Sequence, residues 1–125
     1  MPLPILSSEI LARFVFHHSH IRSSDNSVKP AAFLPKDGMT SVFRISNLAD
    51  QEVWEIGEHE VVPKRGRPLL GRADLSVFTV INNGLQVRPQ EPPLRHANIV
   101  GWPDEKSKQM LVAIELAASS QLYRR

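Results

Sequence analysis

Hydrophobic and polar positions divide this 125-residue chain into short elements punctuated by ten prolines. Ser7 or Ser8 can cap a short helix running through Ile10, Leu11 and Phe14, but the run Phe14-Val15-Phe16 suits a strand equally well. MTSVFRIS at 39–46 alternates as a strand should, with Val42 and Arg44 on one face and Phe43 and Ile45 on the other. Asn47 is placed to cap a helix through Val53, Trp54 and Ile56 that ends at Gly57. Gly66, Pro68 and Gly71 predict an irregular segment over 63–72. After Asp74 or Ser76 as cap, VFTVINNG reads as a short helix, and LQVRP and HANIVGW as strands. Pro103-Asp104 opens a helix over about 104–119, with Met110, Leu111, Ile114 and Ala118 as its apolar stripe. The expectation is an α+β fold, a small single domain over 1–125. It has three or four short strands, two shorter helices and a C-terminal helix packed on the sheet.

A chain of this length has one core to bury, and 42% apolar against 22% charged residues argues against wholesale disorder. Disulfides are excluded because there is no cysteine. There is no N-terminal succession of basic, apolar and small residues, and no apolar run near the roughly 20 residues that span a bilayer. The expected setting is therefore soluble and cytoplasmic, with a bacterial cell as the default and no membrane partner. The net charge of +2 is unevenly spread: residues 49–60 hold five acids and no Lys or Arg, whereas 63–89 hold five bases and one acid. Such asymmetry can steer a polyanion to one face or an acidic partner to another.

Candidate chemistry concentrates in HHSHIRSSDN, residues 17–26. If residues 16–22 are extended, His18, His20 and Arg22 project to one side and His17 to the other. A His-x-His pair can give zinc two ligands, with His96 or Asp25 as a third. No partner at metal-site spacing accompanies it, so no metal or cofactor is assigned. Anion binding fits the neighbours better. Arg22 offers a planar fork, Ser23 and Ser24 offer hydroxyls, and Lys29, Arg44, Arg95 and His96 can converge from other elements. Two histidines beside a cation also suffice for metal-independent phosphodiester cleavage, and His20 with His96 are the expected catalytic pair. Trp102, before Pro103, is expected as a pocket wall near His96, and Trp54 as core packing. Phosphate-cradling glycine loops, nucleophile elbows, zincin helices and EF-hands are missing from the sequence.

PKRGRP at 63–68 resembles the core of an AT-hook over six residues, Arg65, Gly66, Arg67 and Pro68 matching it. The resemblance implies an extended segment lying in the minor groove of A·T-rich DNA, with Arg65 and Arg67 reaching between the strands. In place of the basic residues that follow the proline in an AT-hook, this chain has Leu69-Leu70. The function expected from the whole sequence is binding of an anionic ligand, an RNA or a nucleotide, in a His/Arg pocket formed by residues 17–29 and 95–102. The alternative is a non-enzymatic protein-interaction module, such as the inhibitory or adaptor subunit of a two-component system. Its contact surface would be the acidic 49–60 helix or the C-terminal helix.

Overall fold

A computed structural model describes residues 2–125. In chain order the strands are β1 (Ile10–Val15), β2 (Ile21–Arg22), β3 (Ser27–Val28), β4 (Thr40–Arg44), β5 (Gly71–Ser76), β6 (Gln86–Pro89), β7 (His96–Val100) and β8 (Gln121–Arg124). The helices are α1 (Asp50–Ile56), α2 (Val62–Arg65), α3 (Val77–Asn82) and α4 (Lys106–Ala118), with a π-helical stretch, Gly57–Val61, joining α1 to α2. Six strands form a sheet in the order β6-β7-β4-β1-β5-β8, every neighbouring pair antiparallel. β2 and β3 form a separate two-stranded ribbon. The α+β class is as expected, with more strands than the three or four anticipated.

The ambiguity of Ile10–Phe16 resolves to strand because β1 is buried on both faces. Leu11 and Val15 enter a core shared with Val42, Ala73, Ile99 and the α4 residues Ala113, Leu116 and Ala117. Ala12, Phe14 and Phe16 enter a second core with Phe43, Ile45, Val53 and Leu69. A strand covered on both sides reads as a continuous apolar run, which is why alternation could not identify it.

Four local expectations are corrected. The segment 63–72 is irregular only over residues 66–70: its first residues close α2, and Gly71 and Arg72 begin β5, where Arg72 bonds Asp50 and Asp74 on the second face. Asn47 lies in a left-handed turn at φ 67°, and α1 begins later, with the Glu52 carboxylate accepting from the Ala49 N–H at 3.0 Å. Gly57 does not end the helix. Its φ is −58°, and its missing side chain admits the helix onto the sheet, since a Cβ there would meet Leu69 and Phe14 side-chain carbons at 2.8 Å. Helical conformation runs on to Arg65 and ends at Gly66, left-handed at φ 65°. Acids thus fill the first part of one helical segment and Lys64 and Arg65 its last turn, so the charge asymmetry of the sequence complements the helix dipole.

The stripe assigned to α4 is the exposed one. Leu111 is 65% and Ile114 43% exposed, Met110 is 38% exposed and Ala118 is on the solvent side, while Ala113, Leu116 and Ala117 are buried. The helix packs on the 3₁₀ turn Pro30–Ala32, and alanines one turn apart allow that close approach where larger side chains would hold it off.

Gly57→Ala should lower stability by about 1–3 kcal/mol, because overpacking forces Phe14 or Leu69 off its position. Urea unfolding checks this, and an unchanged midpoint would show that the helix is not seated on Phe14.

Candidate functional site

The polar stretch after β1 is not extended. His18–His20 forms a 3₁₀ turn closed by the His20 N–H donating to the His17 carbonyl at 3.0 Å. Residues three apart eclipse in such a turn, so the imidazoles of His17 and His20 meet at 4.9 Å between centroids, and His18 is left exposed. The expected grouping of His18, His20 and Arg22 is therefore replaced by His17 with His20. Arg22 lies 3.9 Å from Asp25 in an exposed pair, Ser24 is exposed in the turn between β2 and β3, and Lys29 donates its backbone N–H to the His20 carbonyl at 2.8 Å.

The segment that meets the histidines is PKRGRP. Arg67 Nη1 lies 2.7 Å from His17 Nδ1. A guanidinium only donates, so His17 Nδ1 accepts and the ring proton sits on Nε2. Arg65, in the last turn of α2, sets its guanidinium 5.6 Å over the Phe16 ring. Because Lys64 and Arg65 are helical and Gly66 turns left-handed, the segment is not the extended ribbon that the AT-hook resemblance implies.

Beneath this surface lies Arg13, which the sequence reading missed. β1 and β4 pair only at Leu11–Arg44 and Ala12–Phe43, and beyond them Arg13 bridges to the Ser41 and Ala32 carbonyls at 3.0 and 2.9 Å. Burial, and then repulsion from Arg65, pushes its pKa down to about 10, so it stays charged at neutral pH. His17 is held below the usual imidazole range by loss of hydration and then by Arg67, Arg65 and Arg13. His20 is lowered by loss of hydration and then by His17, Arg13 and Arg65.

His96 is elsewhere. On β7 it faces the second core, its ring centroid 5.3 Å from that of Phe43 in an edge-on arrangement, and it lines a cleft of about 540 Å³ together with Ser41, Glu60, Lys64, Arg65, Gln90 and Glu91. Trp102 packs against the first core, on the other face, and donates its indole N–H to the Ile99 carbonyl at 3.2 Å. β3 packs against β8, at the opposite end of the strand order from β7. The single pocket expected from 17–29 and 95–102 is therefore divided, and Arg65, which lines the His96 cleft and acts on both His17 and His20, links its parts.

Two further arginines are committed internally. Arg44 grips Glu9 through Nε and Nη2 at 2.8 and 2.9 Å and donates to the Leu3 and Pro4 carbonyls, so it fastens the N-terminal segment to β4. The hydrogen bonds from Arg44 hold Glu9 below the usual carboxylate range. Arg95 lines a neighbouring, largely apolar cavity with Glu9, Arg44, Glu91 and Leu94. Arg72 is enclosed between the Trp54 and Tyr123 rings, 4.7 Å from each centroid, and bonds Asp50 at 2.8 Å and Asp74 at 3.2 Å, while its Nη1 has no partner among the described residues. Trp54 is thus a lid over a buried charge as well as a core residue.

Among the described residues no group of three His, Cys, Asp or Glu side chains is placed to hold a metal ion, and no helix is long and apolar enough to cross a membrane. No family model, curated protein or solved structure matches this chain.

Asp74 gives this region a pH dependence. Burial raises its pKa to about 6, with Arg72 opposing and Asp50 adding to the rise. The folded chain then takes up this proton before the unfolded chain does, so Asp74 adds stability as pH falls from above 6 toward 4 and withdraws it on return to neutrality. Asp74→Asn should remove that slope, as melting temperatures between about pH 7.5 and about pH 5 would reveal. An identical slope in the variant would assign the effect to another group.

Proposed function

We propose that the chain binds an anionic, phosphate-bearing ligand, an RNA or a nucleotide, on the basic surface made by His17, His20, Lys64, Arg65 and Arg67. The Arg67–His17 hydrogen bond carries this reading, because it joins two cation-rich segments 50 positions apart in sequence. With Arg13 close behind, the cluster repels itself, and a phosphate offsets that repulsion while accepting from guanidinium, ammonium and imidazole donors. The ligand set differs from the one expected on sequence: Arg44 is occupied with Glu9 and Arg22 lies beside Asp25, whereas Arg65 and Arg67 move to the centre. Binding rather than cleavage is proposed for this surface. General acid catalysis needs an imidazole held protonated, and His17 and His20 are both shifted the other way.

The second reading, a protein-interaction module, draws on the exposed Met110, Leu111 and Ile114 of α4. It ranks below the first because a surface of this kind names no partner chemistry, whereas the basic cluster does.

Fluorescence anisotropy with a labelled single-stranded RNA tests the proposal. Affinity should fall with salt, and Arg65→Ala and Arg67→Ala should each weaken binding and reduce the log–log salt slope by about 1. Because His17 Nδ1 accepts from Arg67 and so keeps His17 neutral, the proton taken up with phosphate goes to His20; the bound state then holds more protons than the free state, and affinity should rise as pH falls from about 7.5 to about 5.5. Binding that is absent at low ionic strength, or indifferent to both substitutions, removes the reading.

A further inference from the structure

We propose that Ser41 and His96 form a nucleophile–base pair that cleaves a small, negatively charged carboxylic ester in the cleft beneath α2. The proposal does not depend on the binding surface described above.

The pair is built by strand register. Phe43 pairs with His96 and Ser41 with Asn98 across β4 and β7, which puts Ser41 diagonal to His96 on one face of the sheet. Ser41 Oγ lies 2.7 Å from His96 Nε2, and His96 Nδ1 lies 2.9 Å from the Gln90 carbonyl oxygen. That carbonyl can only accept, so Nδ1 carries the ring proton and Nε2 is bare. The hydroxyl proton of Ser41 therefore points at Nε2, the arrangement required for the base to take it as Oγ attacks. The Gln90 carbonyl fixes tautomer and ring orientation, a role that a carboxylate fills in the serine–histidine–aspartate arrangement. Both side chains line the open cleft of about 540 Å³, whose α2 wall supplies Lys64 and Arg65; Glu60 and Glu91 also border it, the Glu91 carboxylate accepting from the Arg95 backbone N–H at 2.8 Å.

In the first step Ser41 Oγ bonds to the ester carbonyl carbon and its proton passes to His96 Nε2. The tetrahedral oxyanion collapses, the bond to the alcohol oxygen breaks, and His96 returns the proton to that oxygen. Water then gives a proton to Nε2 as its oxygen attacks the acyl carbon, and the carboxylic acid leaves as Ser41 is reprotonated. Ester and water are converted to acid and alcohol with no other reactant. Lys64 and Arg65, on the α2 side of the cleft, attract the anionic acyl or alcohol part of a substrate.

The test uses the full chain and a fluorophosphonate probe, with the modified residue located by mass spectrometry. Stoichiometric labelling is expected at Ser41, absent from Ser41→Ala and slowed about 100-fold or more in His96→Gln. Turnover of a 4-nitrophenyl ester bearing a free carboxylate should exceed that of 4-nitrophenyl acetate, and Arg65→Ala should erase the preference. A folded wild-type chain that is not labelled, or is labelled at another residue, overturns the pair. Labelling at Ser41 that His96→Gln does not slow shows the hydrogen bond to be structural and overturns it as well. Equal turnover of the two esters overturns the substrate class.

Discussion

Strand β1 gives Leu11 and Val15 to one core and Ala12 and Phe14, followed by Phe16 just beyond its end, to the other, so both of its faces must be covered by separate layers. α4 and the Pro30–Ala32 turn supply one cover and the 50–65 helical segment the other. The second cover fits only because Gly57 lets the helix down onto Phe14 and Leu69. Seated there, the helix delivers its basic C-terminal turn beside the residues that follow β1. The meeting of Arg67 with His17 and the roofing of the His96 cleft by Lys64 and Arg65 follow from the same packing.

Charge is handled within this frame by three arginines with different partners. Arg13 bonds backbone carbonyls where β1 and β4 part, Arg44 bonds Glu9 and two carbonyls, and Arg72 bonds Asp50 and Asp74 between two aromatic rings. Removing a guanidinium from water costs several kcal/mol unless such bonds replace its hydration, so Arg13 and Arg44 have little left for a ligand, while Arg72 keeps a buried Nη1 without a partner among the described residues. Lys64 and Arg65 in the last turn of α2, and Arg67 just beyond it, stand together. The imidazoles of His17 and His20 adjoin them and stay neutral in part because they do.

Arg65 borders both the basic surface and the Ser41–His96 cleft. The two sites differ in what they ask of an imidazole. His17 and His20 sit among cations that oppose protonation, whereas His96 is held by a hydroxyl on one nitrogen and a neutral carbonyl on the other.

Local sequence determined the elements whose signals are short-range. Alternation in MTSVFRIS gave β4, the Ser76 hydroxyl caps α3 by accepting from the Thr79 N–H at 3.1 Å, and proline before an amphipathic run gave α4 within two residues. The basic PKRGRP and the histidine-rich stretch were also visible as chemistry. Their meeting was not, because it depends on the height at which a helix settles on a strand, which a glycine at position 57 sets through space. The α4 stripe was misjudged for a related reason: small alanines pack closer than larger apolar residues, and only the facing turn reveals which side is wanted. Ser41 gave no signal of its own, since a serine in a strand becomes a nucleophile candidate only when cross-strand register sets it 2.7 Å from an imidazole 55 positions away. Hydrophobic period and capping are properties of neighbours along the chain, whereas register, helix height and the pairing of charges are fixed by packing between segments that the sequence holds far apart.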